Sequence, residues 1–350
     1  MHLEAASSRP EAICDEAQLD EVLTRPAPRL IDFMRGVSSP LLILGAGGKM
    51  GPTLAVLARR AAEAAGNRIE VIAVSRFGDA AARRALEESG VRTISSDMMD
   101  REAIARLPSA GHIVYLVGLK FGTAQNPSAT WATNTLVPAH VCERFPQTRI
   151  AAVSTGNVYP LSLVSRGGSV ETDPLTPIGE YANAAVARER IFQHYSGRDG
   201  TRVALLRLCY AVDLRYGVLL DIARKVYEGV SIPLANGYFN CIWQGDANEM
   251  ILRALSLAES PPSAWNLCRP EVFSLRDVGG RLGKLLGREP QFSGAESGTA
   301  LLTNPTRICS ALGEPATGLE TMLQWAAGWV RSGGRDLAKP THFEVRDGAY

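Results

Sequence analysis

No two of the six cysteines stand at Cys-x-x-Cys spacing. Cys14, Cys142, Cys209, Cys241, Cys268 and Cys309 are spread along the chain, which argues against a zinc site and against a disulfide framework. The five histidines are equally dispersed and form no metal constellation. The formal net charge is +1, so no global field draws the chain to nucleic acid or to an anionic membrane. No run approaches the ~18 apolar residues that a spanning helix needs. The first residues are acidic (Glu4, Glu11, Asp15, Glu16) and lack the apolar stretch of a signal peptide. These absences predict a soluble, cytoplasmic protein whose partners are small molecules, with no nucleic-acid, membrane or metal role. The basic pairs Arg59-Arg60 and Arg83-Arg84 fall in Ala-rich helical stretches and read as solvated helix faces.

What is present is core-forming material: 350 residues, 46% of them hydrophobic, ample for one large core or for a core with a smaller lobe. Residues 1–39 read as an N-terminal extension with two short helices broken by Pro26 and Pro28. From residue 41 the pattern changes. Apolar runs at 41–44, 69–74, 91–94, 112–117 and 149–154 read as buried strands. Helical stretches at 53–65, 79–89, 100–107 and 130–145 separate them, with stops at Gly66-Asn67, Gly90 and Pro108. Strands alternating with helices predict βαβ units and a parallel sheet covered on both faces. The fold class is therefore a Rossmann-like, doubly wound α/β sheet with a small C-terminal substrate lobe. The predicted organisation is an extension at 1–39, a nucleotide-binding core at 40–160, and at 161–350 the remaining core elements interleaved with the lobe and tail. Residues 271–286 read as a lobe helix, with Ser274 as cap and Gly287 as stop. The charged end, 342–348, reads as exposed.

The first strand runs into Gly45-Ala46-Gly47-Gly48-Lys49-Met50-Gly51 and then into a helix. A diphosphate needs backbone N–H groups aimed at it and room for close approach. Glycines at a strand-to-helix turn supply both, and the helix N-terminus adds favourable dipole charge. The turn predicts a dinucleotide site built from Gly45, Gly47, Gly48, Lys49, Met50 and Gly51. At the end of the second strand an NAD-preferring site usually places a carboxylate on the ribose 2′-hydroxyl. This sequence has Ser75-Arg76 instead, which suits a 2′-phosphate and favours NADP over NAD. The competing reading of Arg76 is a solvated loop charge.

These motifs, in this order, resemble the extended short-chain dehydrogenase/reductase family, the NAD(P)-dependent sugar epimerases and dehydratases. The resemblance covers about residues 41–290. It rests on the Gly45/Gly48/Gly51 spacing, on Asp97-Met98 after the third strand, and on the fourth-strand end Val114-Tyr115-Leu116-Val117-Gly118. Further on it rests on Asn134, on Ser154-Thr155-Gly156-Asn157-Val158-Tyr159-Pro160, and on Pro177 with Tyr181. Leu206-Arg207 and Gly245-Asp246 complete the series. The resemblance implies that Asp97, Met98, Val117, Gly118 and Tyr181 contact the cofactor. It also implies an oxidoreductase or epimerase acting on a hydroxyl or carbonyl of a sugar-like substrate, and a homodimer through the two long helices after the fourth and fifth strands. The motif Gly48-Lys49-Met50-Gly51 also looks like the turn of dihydrodipicolinate reductase, but the later landmarks do not follow that family.

In the resembled family a Tyr exchanges a proton with the substrate oxygen, a Ser or Thr hydrogen-bonds that oxygen, and a Lys four residues after the Tyr binds the nicotinamide ribose. By position, Thr155 and Tyr181 take the first two roles. The Lys position is Ala185. A Tyr ordinarily titrates near pH ~10 and needs a nearby cation to act as a base at neutral pH. Three readings follow: a replacement cation, with Lys120 first and Arg188 second; a different proton donor; or a catalytically silent NADP(H)-binding sensor or scaffold. Gly156 and Asn157 stand where the dehydratase branch carries an Asp-Glu pair, which disfavours a dehydratase mechanism. Gln125, Asn126, Asn157, Tyr159, Tyr210, Arg215, Asn240 and Trp243 are candidate contacts for a polyhydroxylated substrate, with core packing the competing reading for Tyr210 and Trp243.

Overall fold

The computed structural model describes residues 10–119, 122, 123, 125–338, 341 and 343–348. Lys120 lies outside the described residues. The first strand β1 (Leu41–Leu44) leads through the glycine turn to α3 (Gly51–Ala64), which is preceded by α1 (Glu16–Thr24) and α2 (Pro28–Met34). Then come β2 (Val71–Ser75), α4 (Ala80–Glu88), β3 (Arg92–Ser95), α5 (Arg101–Ala105) and β4 (His112–Tyr115). The series continues with α6 (Pro127–Arg144), β5 (Arg149–Thr155) and α7 (Gly179–Asp199). Two further core strands follow, Arg202–Leu208 and Ser263–Leu267. The seven strands form one sheet in the order Ser263–Leu267, Arg202–Leu208, β5, β4, β1, β2, β3. Every pairing in it is parallel.

Alternation of side chains across each strand builds two cores. Leu41, Ile43, Val71, Ala73, Val114 and Ala151 face one way, against Leu54, Ala58 and Ala61 of α3. Leu42, Leu44, Ile72, Val74, Ile113 and Ile150 face the other, against Val137 and Val141 of α6 and Phe192 of α7. Both faces are covered, which is why these strands read as unbroken apolar runs rather than as alternating ones. β3 is the exception. As the edge strand its four residues are exposed or half-buried.

The lobe has a separate core, formed by α8 (Val218–Glu228), α10 (Leu275–Leu286) and α12 (Leu319–Arg331), with Trp243, Trp325 and Trp329 at its centre. Ser274 caps α10 by accepting from the Asp277 amide, and Gly287 ends it in the left-handed conformation. α9 (Gln244–Arg253) and α11 (Thr306–Leu312) pack on the sheet side. No described helix is long and apolar enough to cross a membrane.

Two segments pack more intimately than their composition suggests. In the N-terminal stretch, Leu19 and Leu23 of α1 enter the lobe core, whereas Leu30 and Met34 of α2 enter the sheet core. Arg60, expected on a solvated face, donates to Glu21 at 2.7 Å and to Thr24 at 2.8 Å and ties α3 to α1. The tail, expected to be exposed, is held by hydrogen bonds instead. Phe343 is buried in the lobe core. The Asn236 amide donates to the carbonyls of Phe343 and Val345. Arg346 donates to the carbonyls of Ala235 and Thr299. An apolar residue and a long cation within a charged stretch suffice to dock it, a pairing that local composition does not disclose.

Candidate functional site

In the strand order, β1 lies between β4 and β2, so the chain reverses its direction of winding at β1. A crevice opens there beyond the strand C-termini, where ligands bind in open α/β sheets. The glycine turn leaves β1 into that crevice. Its first residue is anchored to the sheet, since the Gly45 and Ala46 amides donate to the Val74 carbonyl at 2.9 and 3.1 Å.

The glycines of the turn answer to different demands. Gly45 has φ +84°, and a Cβ there would lie 2.9 Å from the Val117 nitrogen. A Cβ on Gly51 would lie 2.3 Å from the Ala46 carbonyl oxygen, so only glycine lets α3 start this close to the turn. Gly48 differs. A Cβ there would meet the Gly45 carbonyl oxygen at 3.5 Å, an ordinary contact. The fold needs Gly45 and Gly51; the bareness of Gly48 serves open space. α3 begins with no side chain capping it and with Pro52 in its first turn, so its leading amides are left for a ligand.

A cavity of about 370 Å³ extends from this turn. Gly45, Gly48, Lys49, Met50 and Gly51 line one end, with Gly118 from the β4 edge. Thr155, Asn157, Tyr181 and Arg188 line it further along, and Tyr210, Tyr216, Leu301 and Thr341 close it from the lobe side. The fold thus gathers the turn, Thr155 and Tyr181, distant in sequence, onto one cavity. The Thr155 hydroxyl donates to Asn157 Oδ1 at 2.9 Å and accepts from the Asn157 amide at 3.2 Å. Tyr181 is 9% exposed, on the first turns of α7. Ala185, one turn on, is fully buried against Val158 and Tyr159. Lys49 does not point to solvent. Its Nζ donates to the Ala211 carbonyl at 2.9 Å and sits 3.7 Å over the Tyr216 ring, bridging the turn to the lobe. Burial, with Asp221 next in importance, pushes the Tyr216 hydroxyl far above the ordinary tyrosine range.

The other expected cofactor contacts stand off this cavity. Gly47 packs against the Ser75 side chain. Arg76 and Asp97 are exposed at the ends of β2 and β3. Asp97 accepts from the Met99 amide, and Met98 is buried in the sheet core. The Val117 carbonyl accepts from Arg188 at 3.1 Å.

Several expected substrate contacts are corrected by their hydrogen bonds. Asn126 caps α6, accepting from the Ala129 amide. Arg215 pairs with Asp20 at 3.0 Å and Glu16 at 3.5 Å and holds the N-terminal helix. The Asn240 amide donates to the Thr303 carbonyl at 2.6 Å, and Trp243 packs on Trp325 in the lobe core with the rings tilted by 60°. Tyr159 belongs to a buried network. Its hydroxyl accepts from Arg207 at 2.6 Å and donates to Asn266 at 2.8 Å, and burial pushes it up to about 12, so it stays protonated at neutral pH. Arg207 in turn grips Glu189 of α7 in a two-point ion pair, 2.7 and 3.1 Å, and Ser154 of β5 donates to the same carboxylate at 2.6 Å. This network fixes the strand that ends in Thr155 against the helix that carries Tyr181. Cys209 lines the cavity and lies near Cys241 and Cys268, so cysteines remote in sequence converge in space; burial raises the thiols of Cys241 and Cys268, which disfavours their thiolates.

The parallel seven-stranded sheet with its glycine turn at the winding reversal defines a Rossmann-like α/β protein. A model of the NAD dependent epimerase/dehydratase family matches residues 41–267, and the chain belongs to that family. No curated protein sequence matches it. Similar solved structures include the dTDP-glucose 4,6-dehydratase DesIV of Streptomyces venezuelae with NAD and TYD bound (TM-score 0.69, 19% identity, 83% of this chain and 96% of that one). The UDP-glucose 4-epimerase of Thermotoga maritima with UDP-glucose is another (TM-score 0.65, 16% identity, 84% and 99%). MoeE5 in complex with UDP-glucose and NAD is a third (TM-score 0.67, 19% identity, 84% and 99%). At such identities the likeness speaks for the fold.

Proposed function

We propose that this protein is an NAD(P)-dependent oxidoreductase or epimerase acting on a hydroxyl or carbonyl of a small, sugar-like substrate. The observation that carries this reading is the single cavity shared by the glycine turn, Thr155 and Tyr181. The residues present fit a dinucleotide. Gly48 keeps a bare face toward the cavity, and the uncapped start of α3 offers amides for a diphosphate. Gly45, Gly48, Lys49, Met50 and Gly51 would hold the diphosphate, with Gly47, Ser75, Arg76, Asp97 and Met98 toward the adenosine side and Val117 and Gly118 toward the reacting ring. When bound, the dinucleotide supplies a hydride donor or acceptor. Tyr181 exchanges the proton with the substrate oxygen, and Thr155 turns its hydroxyl from Asn157 to hydrogen-bond that oxygen. In this reading residues 40–160 are the nucleotide-binding core, and 161–350 supply the remaining core elements, interleaved with the substrate lobe and the tail. Nucleotide-sugars, which the similar enzymes carry, are the first substrates to try. A homodimer through α6 and α7 is part of the same reading.

NADP is favoured over NAD because the end of β2 presents Ser75 and an exposed Arg76 and no carboxylate. A charge-assisted pair with a 2′-phosphate is worth about 1.5–3 kcal/mol. With solvent screening, Arg76→Ala is expected to cost NADPH about tenfold in affinity and to leave NADH unchanged. Calorimetric titration with both dinucleotides reads the ratio; an unchanged ratio sinks the preference. Ala185 favours a second reading, a dinucleotide-binding protein that has lost the chemistry. Turnover with a panel of keto-sugars, sugar acids and nucleotide-sugars separates the two.

A further inference from the structure

Tyr181, Ala185 and Arg188 stand at i, i+4 and i+7 on α7, on one face of the helix. All three are buried. Side chains on a helix lean toward its N-terminus, and Arg188 and Tyr181 both reach the cavity wall. Arg188 is 5% exposed and lines the cavity. One terminal nitrogen donates to the Val117 carbonyl at 3.1 Å. Its Nε has no partner among the described residues, and no carboxylate among them forms an ion pair with it. Arg207 on the neighbouring strand shows the contrast, with its charge answered by Glu189.

The surroundings are built around this guanidinium. A Cβ at residue 118 would lie 2.6 Å from its terminal nitrogen, so glycine at 118 keeps its place open. Two more buried polar atoms nearby lack partners among the described residues, Asn134 Oδ1 and the Tyr115 hydroxyl. Asn134 Oδ1 would lie 3.7 Å from the same Cβ. Burial pushes the Tyr115 hydroxyl well up, and the charge of Arg188 offsets that only in part. Burying a cation without a counter-charge or a full set of acceptors is costly.

We propose that Arg188 is a cofactor-binding residue that stands in for the cation missing at position 185. It donates to the ribose hydroxyls at the reacting end of the dinucleotide and holds a fixed positive charge beside Tyr181. A guanidinium has five N–H donors and keeps its charge throughout the working pH range, so it can satisfy the Val117 carbonyl and a ligand together. This assignment rests on the dinucleotide reading above.

The test is calorimetric titration of the full chain with NADPH and NADH, alongside the thermal midpoint of the ligand-free protein. Arg188→Met is expected to weaken the better dinucleotide by about tenfold or more and to leave the ligand-free midpoint unchanged or raised, because a buried unpaired charge has gone. Arg188→Lys, which keeps the charge, is expected to bind within about fivefold of the parent. If Arg188→Met does not fold, Arg188→Gln takes its place. Affinity within about twofold of the parent in the neutral variant overturns the proposal, and so does a Lys variant that binds no more tightly than the neutral one. A parent that binds neither dinucleotide overturns the cofactor reading itself and this assignment with it. A parent that binds tightly beside an unaffected neutral variant removes Arg188 alone.

Discussion

Replacing Tyr181 by phenylalanine is expected to lower turnover by about 10²–10⁴-fold, the usual contribution of a placed general acid or base. Dinucleotide affinity should stay within about threefold of the parent, since the change removes one oxygen from a residue whose ring is packed. The split between the two readouts is the point. A hydroxyl that only held the cofactor would cost affinity, whereas one that moves a proton costs rate. Steady-state dinucleotide absorbance with an accepted substrate gives the rate, and calorimetry gives the affinity. Turnover equal to that of the parent removes Tyr181 from the chemistry. Thr155 provides the control, because its hydroxyl already bonds Asn157. Thr155→Val should therefore lose rate without a comparable loss of dinucleotide affinity.

The largest stability effect is expected at Glu189. Its side chain is 1% exposed and that of Arg207 5% exposed. Two hydrogen bonds, of 2.7 and 3.1 Å, join them, and Ser154 and Tyr159 extend the network to neighbouring elements. Glu189→Ala strands the guanidinium in a dry interior, which costs about 3–5 kcal/mol. Replacing both partners, as Glu189→Leu with Arg207→Met, should cost less than the single change, because no charge is left unpaired. Urea denaturation midpoints of parent, single and double variants decide it. A loss of less than about 1 kcal/mol in the single variant would mean that water reaches the pair. Because Ser154 precedes Thr155 and Glu189 lies two turns along the helix from Tyr181, the single variant should also lose activity under conditions where it is still folded.

Much of the architecture was legible in the sequence, and the reason is local. The apolar runs of β1, β2, β4 and β5, the helix starts at Asp100 and Ser274 and the stops at Gly66 and Gly287 are written in neighbouring residues. The glycine turn was legible for the same cause, since Gly45 and Gly51 answer to contacts within a single strand-turn-helix unit and its sheet partner. What escaped was decided across the chain. Arg215 was available for a substrate until Glu16 and Asp20 came to meet it. Tyr159 sits two residues beyond Asn157, yet Arg207 and Asn266 claim its hydroxyl. Arg188 carried a signal, its helical phase with Tyr181. The sequence could not say that the charge would be buried with no carboxylate among the described residues to answer it.

The N-terminal helices have a consequence in time as well as in space. The Pro10 carbonyl accepts from Trp325 at 2.9 Å, and Glu16 pairs with Arg335 at 2.7 Å, partners more than 300 positions apart in the chain. On a ribosome moving at ~5–20 residues per second, residues 10–24 wait about 15–60 s for those partners to be made. Until then Leu19 and Leu23 have only part of their lobe core to enter. This helix is thus made long before its docking site is complete, and its apolar face stays open to a chaperone in the meantime.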